Sequence, residues 1–202
     1  MKKQLTILLT LIFVLGLSVI NFNNKNAQAS SGLVARWNFD EGSGTVLNDV
    51  VGGADGVISG ATWISGYSGN ALSFDGLDDY VEITTMPGED VFTLMYRVKA
   101  NEPIIGGRIT SVTFDRFDTA INDEGYLTLQ IKDYGWLETG LHIDSNSWTF
   151  IATTFDGTEV KIYKNATLVK TIEATGFLPG DYMRFGSRFK DYHREESFSN
   201  IS

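Results

Sequence analysis

The sequence predicts an all-β protein, an antiparallel sandwich of two sheets built from roughly a dozen strands. Three observations predict it. Apolar and polar residues alternate with period two in many short runs between residues 33 and 172, the pattern of half-buried strands. The 21 glycines against 3 prolines supply the many tight turns that such a chain needs. Beyond the first thirty residues no long run repeats its apolar residues every 3.6 positions. With 43% hydrophobic and 20% charged residues the 202-residue chain is globular, of a length for one domain plus a targeting segment.

The first element is that targeting segment. Met1-Lys2-Lys3 is a positive start, Leu5 to Ile20 is an apolar run of 16 residues, and Ala27-Gln28-Ala29 is a small-residue cleavage pattern. The run is shorter than the ~20 residues that span a bilayer, so a signal peptide over residues 1–29 is expected rather than a membrane anchor. Cleavage after Ala29 would release residues 30–202 as one secreted, extracellular domain without membrane insertion. Lys2, Lys3 and Lys25 would leave with the leader and no acidic residue would, taking the net charge from −9 to −12. Nucleic acid and anionic lipid need clustered Lys and Arg and are disfavoured as partners. The chain has no cysteine, which excludes disulfides, thiolate metal sites and a thiol nucleophile. Stability must come from the core, with a hard cation as the one remaining cross-link.

The strands follow in order. Leu33 to Phe39 is the first. Ala71 to Phe74 and Tyr80 to Ile83 flank a bend rich in Gly and Asp. In Phe92 to Val98, residues Phe92, Leu94, Tyr96 and Val98 share one face. Leu127, Leu129 and Ile131 set a core parity, and Leu137, Leu141 and Ile143 set it on the next strand. Trp148 to Phe155 and Val160 to Tyr163 surround Asp156-Gly157, a strong hairpin signal because glycine tolerates positive φ. Lys164-Asn165-Ala166-Thr167 turns the chain into Leu168 to Ile172, and Met183 to Ser187 reads as a late strand.

Three segments, in this order, carry a family likeness. They are GLVARWNFDEGSGTVLNDVVGGADGVISGATW (32–63), GNALSFDGLDDYVEI (69–83) and SWTFIATTFDGTEVKIYKNATLVKTI (147–172). The strings Phe74-Asp75-Gly76-x-Asp78-Asp79-Tyr80-Val81 and Trp148-x-x-x-Ala152-x-Thr154-x-Asp156-Gly157 are its most specific parts. The chain resembles the laminin-G-like jelly-roll modules of the concanavalin A-like lectin/glucanase class across most of residues 32–188. That resemblance implies two stacked sheets, a concave face that receives glycans, often a bound calcium ion, and a binding role in secreted and cell-surface proteins. Two departures stand out. Arg97 occupies a position where the family usually has tryptophan. The family's closing C-terminal strand, which pairs beside the first strand, has no counterpart before Ser202. The expectation is a truncated member with an open edge at residues 33–39, or a partner strand that fills the gap.

Candidate sites follow from residue type and parity. Asp40, Asp49, Asp55 and Asp75 lie in glycine-rich loops that can curl around the six to eight oxygens of a calcium site. Asp40 and Asp49 match positions where the family is acidic. The competing reading is that these aspartates organise turns through nearby backbone N–H groups. On the sheet face opposite the core, Trp136 offers a ring on which a sugar can stack, with Tyr134 in the adjoining turn and Gln130 and His142 as hydrogen-bonding neighbours. The competing reading packs Trp136 on a loop. Trp37, Trp63 and Trp148 are assigned to the core.

Catalytic motifs are lacking. No E-x-D-x-E string occurs, and Asp78 and Glu82, the nearest approach, are four strand residues or about 13 Å apart. Glycosidases place their carboxyls ~5–9.5 Å apart. His142 and His193 form no zinc motif, no G-x-S-x-G elbow occurs, and neither helix nor lysine follows Gly42-Ser43-Gly44 as a phosphate loop requires. Asn165-Ala166-Thr167 is a glycosylation sequon by pattern alone. The sequence reading is a secreted, non-catalytic, carbohydrate-binding module, calcium-assisted. Its rival is a structural or adhesive module for a cell-surface protein, and a glycoside hydrolase is the weakest alternative.

Overall fold

The computed structural model describes residues 5–7, 11–14, 32–86, 91–101, 107–112, 117–175 and 182–186. The cleavage site at Ala29, His193, Ser187 and the tail Ser197 to Ile201 lie outside these residues. In chain order the strands are β1 (Leu5–Ile7), β2 (Leu11–Val14), β3 (Leu33–Trp37), β4 (Val46–Leu47), β5 (Gly56–Ser59) and β6 (Thr62–Ser65). Next come β7 (Asn70–Phe74), β8 (Tyr80–Ile83), β9 (Phe92–Val98), β10 (Gly107–Val112), β11 (Phe117–Ile121) and β12 (Tyr126–Ile131). The last are β13 (Gly135–His142), β14 (Thr149–Phe155), β15 (Glu159–Lys164), β16 (Thr167–Glu173) and β17 (Met183–Phe185). The described residues contain no helix.

Two large sheets form the sandwich. One runs β13-β12-β11-β10-β17-β8-β5-β4 and the other β16-β15-β14-β9-β2-β3, and every pairing in them is antiparallel. A small third sheet, β1-β7-β6, flanks them. The core between the large sheets is held by alternate residues of both, as the period-two pattern requires. Trp37 of the six-stranded sheet meets Phe185 of the eight-stranded one edge to face at 5.5 Å, and Phe92 meets Phe117 at 5.0 Å. The Tyr96 hydroxyl crosses the same gap and donates to Thr119 Oγ1 at 3.0 Å, beside a Thr110–Thr119 hydroxyl pair at 2.7 Å. Burial holds the Tyr96 phenol well above the ordinary tyrosine range, so it stays neutral inside the core.

The expected hairpins form. At Asp156-Gly157 the Asp156 carboxylate accepts from the Thr158 and Glu159 backbone N–H groups at 2.9 Å each, which closes the turn. At the next turn Asn165 and Ala166 adopt positive φ and the Asn165 side chain accepts from Phe150 N–H at 3.0 Å. Strands β10 and β11 gave no alternation in the sequence because every one of their residues is buried.

The expectation of an open edge at residues 33–39 concerns the domain without its leader; in the full chain one edge of β3 is paired and the other lies at the margin of its sheet. Strand β2, from the apolar N-terminal run, lies between β3 and β9 and pairs with both.

Candidate functional site

The eight-stranded sheet has one face on the core and one turned away from it. Register fixes what the second face carries. A single row crosses it, Trp136 to Gln130 to Asp118 to Ser111 to Arg184 to Glu82 to Val57, each residue directly paired with the next. Their neighbours in sequence, including Leu129, Phe117, Val112, Phe185, Val81 and Ile58, belong to the core. One step further along, Arg108 is paired with Ala120 and Thr128 with Glu138.

This row is polar and rich in charge, and its charges are matched. Arg108 Nε lies 2.9 Å from Asp118 Oδ2, both side chains deeply buried. Arg184 donates to Glu82 Oε1 at 2.7 Å, and the Tyr182 hydroxyl donates to the same oxygen at 2.6 Å. These two donors, the Tyr182 hydroxyl first, hold the Glu82 carboxyl below the usual glutamate range. The Arg184 guanidinium lies over the Tyr80 ring at 4.1 Å, and the Arg108 guanidinium is 6.0 Å from the Trp136 ring. The middle of the row is buried, with Asp118 and Ser111 at 0% and 1% exposure, whereas both ends reach solvent. Gln130 Oε1 and Ser111 Oγ are buried and have no hydrogen-bond partner among the described residues, which costs free energy unless another group, water or a ligand supplies one.

The aromatic residues expected at the site divide. Trp136 and Gln130 are cross-strand partners on the face. Trp136 is the second residue of β13, just after a turn over residues 132–134, and Asp133 in the turn and Gly135 at the strand's start take positive φ. Tyr134 lies in that turn, and its hydroxyl accepts from Thr175 N–H at 3.1 Å. His142 shares the face but pairs with Tyr126, about 13 Å along β12 from the Gln130–Trp136 pair. There it packs edge to face on Tyr126 and its Nδ1 lies 3.3 Å from Asp144. Arg108, Ser111, Asp118, Glu82, Arg184 and Tyr182 complete the face and were not singled out for it from sequence. Of the tryptophans assigned to the core, Trp37 is fully buried, while Trp63 and Trp148 are half-buried at its margin. Arg97 lies outside this face, over Tyr67 at 4.1 Å and Phe150 at 5.3 Å.

Among the described residues, no three of the four aspartates expected to share a cation bring their carboxylate oxygens within 4.8 Å of one another. Asp49 accepts from four backbone N–H groups, Arg36 and Val51 at Oδ1 and Gly52 and Ala54 at Oδ2, at 2.8–3.0 Å. Asp55 in turn accepts from Asp49 N–H at 2.8 Å. A carboxylate has about four lone-pair sites, so Asp49 is fully committed to shaping its loop and does not fit calcium. Asp40 lends its backbone carbonyl to the Asn70 side-chain amide at 3.3 Å. Among the described residues, the acidic side chains that converge are Asp75, Asp78 and Asp79, within 4.8 Å of one another. Within this bend Asp75 accepts from Leu77 N–H and Asp79 from Asp75 N–H.

No protein-family model matches the chain, and no curated protein matches its sequence. Solved structures do resemble it. Domain 4 of an extracellular arabinanase from Geobacillus stearothermophilus, solved with arabinotriose, aligns over 70% of this chain and 87% of its own at 16% identity and a TM-score of 0.50. The carbohydrate-binding module CBM66 from Bacillus subtilis aligns over 65% of this chain and 88% of its own at 15% identity and a TM-score of 0.45. An alginate lyase of polysaccharide lyase family 7 aligns over 94% and 83% at 13% identity and a TM-score of 0.43. At these identities the likeness is one of fold. The protein is an all-β antiparallel sandwich with a jelly-roll fold.

Proposed function

We propose that this protein is a secreted, non-catalytic module of the laminin-G-like type that binds a glycan on the outward face of its eight-stranded sheet. The observation that carries the reading is the transverse row. It joins an aromatic platform, Trp136, to polar atoms at Gln130 and Ser111 that lack partners among the described residues. A sugar presents an apolar ring face and a rim of hydroxyls, the two things this row is built to meet. Aspartate- and glutamate-based hydrolysis is disfavoured by distance. Asp118 and Glu82 are three strands apart, about 14 Å at ~4.8 Å per strand, and each is neutralised by an arginine. Calcium, in this reading, sits at Asp75, Asp78 and Asp79.

The test is a titration of the purified protein with neutral oligosaccharides, arabino-oligosaccharides first because the arabinanase domain was solved with one. Trp136→Ala is expected to weaken binding at least tenfold, about 1.4 kcal/mol. Unchanged affinity in Trp136→Ala and Gln130→Ala, or no binding to any glycan tested, sinks the reading.

A second reading rests on a different end of the same face. Val57 and Val46 are paired there and are 63% and 47% exposed, and Val50 and Val51 are exposed in the nearby loop. Such a patch suits an adhesive contact with a protein at the cell surface. Val57→Asp would abolish that contact and leave glycan affinity intact.

A further inference from the structure

The six-stranded sheet also has an outward face, and its cations are not matched by carboxylates as those of the eight-stranded sheet are. Tyr96, Val98, Thr149 and Ile151 are buried, so Arg97 and Phe150, cross-strand partners between them, lie on the other side. Lys99 and Trp148 follow one step beyond the Val98–Thr149 pair and share that side. The Arg97 guanidinium lies over the Tyr67 ring at 4.1 Å and over the Phe150 ring at 5.3 Å. The Lys99 ammonium lies over the Trp148 ring at 5.3 Å. Tyr67 is 57% exposed, and the other four residues are half-buried. Two cations thus stand two residues apart on one strand, about 6.6 Å at ~3.3 Å per residue, each set against aromatic rings.

Ring contacts leave the donors of these cations unspent. A guanidinium carries its five N–H groups in its own plane, and a ring above or below that plane takes none of them. Among the described residues neither Arg97 nor Lys99 has a carboxylate partner, whereas Arg108 and Arg184 on the opposite face each have one. Glu159, on the same face as Arg97, is paired with Lys161. It lies opposite Asp156, six residues along from Phe150, about 20 Å at ~3.3 Å per residue. In a chain of 25 acidic and 16 basic residues, these two neighbouring cations make a local positive field on an aromatic floor.

We propose that this face is a second ligand site, specific for a polysaccharide built from uronic acids. Arg97 pairs with one sugar carboxylate through two N–H groups, and Lys99 serves the next carboxylate along the chain as a point charge. The rings of Tyr67, Phe150 and Trp148 meet the apolar faces of the sugars. The rings favour a sugar over an acidic peptide, and the cations favour a charged sugar over the neutral ones proposed for Trp136. The two sites lie on opposite faces of the sandwich, and neither depends on the other.

The experiment is a calorimetric titration of the full chain with a galacturonic-acid tetramer and with its methyl ester, which keeps the rings and removes the charge. The acid should bind at least tenfold more tightly than the ester. Arg97→Gln should weaken the acid at least tenfold, and Trp136→Ala should leave it unchanged. Lys99→Glu, which keeps the Tyr67–Arg97–Phe150 stack, should also weaken it at least tenfold and decides the matter if Arg97→Gln does not unfold cooperatively in urea. No binding of the acid, equal binding of acid and ester, or unchanged affinity in folded Arg97→Gln and Lys99→Glu each overturns the proposal. So does an oligoglutamate of equal charge that binds as tightly, which would make the face a site for acidic peptides. A loss in Trp136→Ala alone would put the acid on the eight-stranded face and overturn it as well.

Discussion

At the scale of single residues, the acidic side chains show how one chemistry serves two ends. Asp49 spends its oxygens on four N–H groups and fixes the loop from Asp49 to Ala54 against Arg36. Asp49→Ala should lower stability by about 2–3 kcal/mol in urea unfolding, by the same amount with calcium and with chelator. A loss that appears only in calcium would instead make Asp49 a ligand. Glu82 works through its charge. Its carboxyl is held low by Tyr182 and Arg184, so the folded state binds its proton less readily than the unfolded chain does. The stability it contributes is full above the ordinary glutamate value of ~4.3 and is lost as pH falls through the depressed folded value. Glu82→Gln should therefore flatten the acid limb of stability below the ordinary glutamate value of ~4.3, with little change in its slope at neutral pH. Unfolding midpoints collected across that range check it.

At the scale of elements, the strands that alternate were readable and the ones that do not were not. Phe92–Val98 and Tyr126–Ile131 bury every second residue, so their sequence states their orientation. Gly107–Val112 and Phe117–Ile121 are buried on both sides, and without alternation nothing marked them as strands. The candidate site suffered the same division. Trp136 and Gln130 lie on alternating strands, and parity placed them on the outward face. Arg108, Ser111 and Asp118 lie on the silent strands. Their polar residues, Arg108, Thr110, Ser111, Asp118 and Thr119, read as exposed, yet they are buried, with Arg108 and Asp118 paired to each other. Glu82 and Arg184 are 102 residues apart and meet only because β17 returns beside β8. That return depends on Gly186, whose φ is +80° and where an added Cβ would overlap the Phe74 ring. Gly186→Ala should cost at least ~2 kcal/mol, and pairing it with Phe74→Leu should recover part of the loss if the ring is the obstacle. No recovery would assign the cost to the backbone alone.

At the scale of the whole molecule, the sandwich is coupled through a few large side chains that reach from one sheet to the other. Trp37 is the clearest. It lies on the six-stranded sheet, touches Phe185 of the other, and its Nε1–H donates to Ala54 carbonyl at 2.8 Å in the loop before β5. Trp37→Ala should destabilise the domain by about 3–5 kcal/mol, with both sheets melting in one transition followed by circular dichroism and by tryptophan fluorescence. Separate transitions would mean that the sheets are independent folding units.

The position of β17 has a consequence in time. These three residues, at the far end of the described chain, sit in the middle of the eight-stranded sheet, with β10 on one side and β8 on the other. The strands on either side, β10 to β13 and β4, β5 and β8, can pair before β17 is made, but among the described strands the one that joins them is synthesised last. Seventy-three residues separate Val112, the end of β10, from Phe185, roughly 4–15 s of synthesis at ~5–20 residues per second. For all of that interval β8 and β10 hold open edges towards a neighbour that has not yet been made.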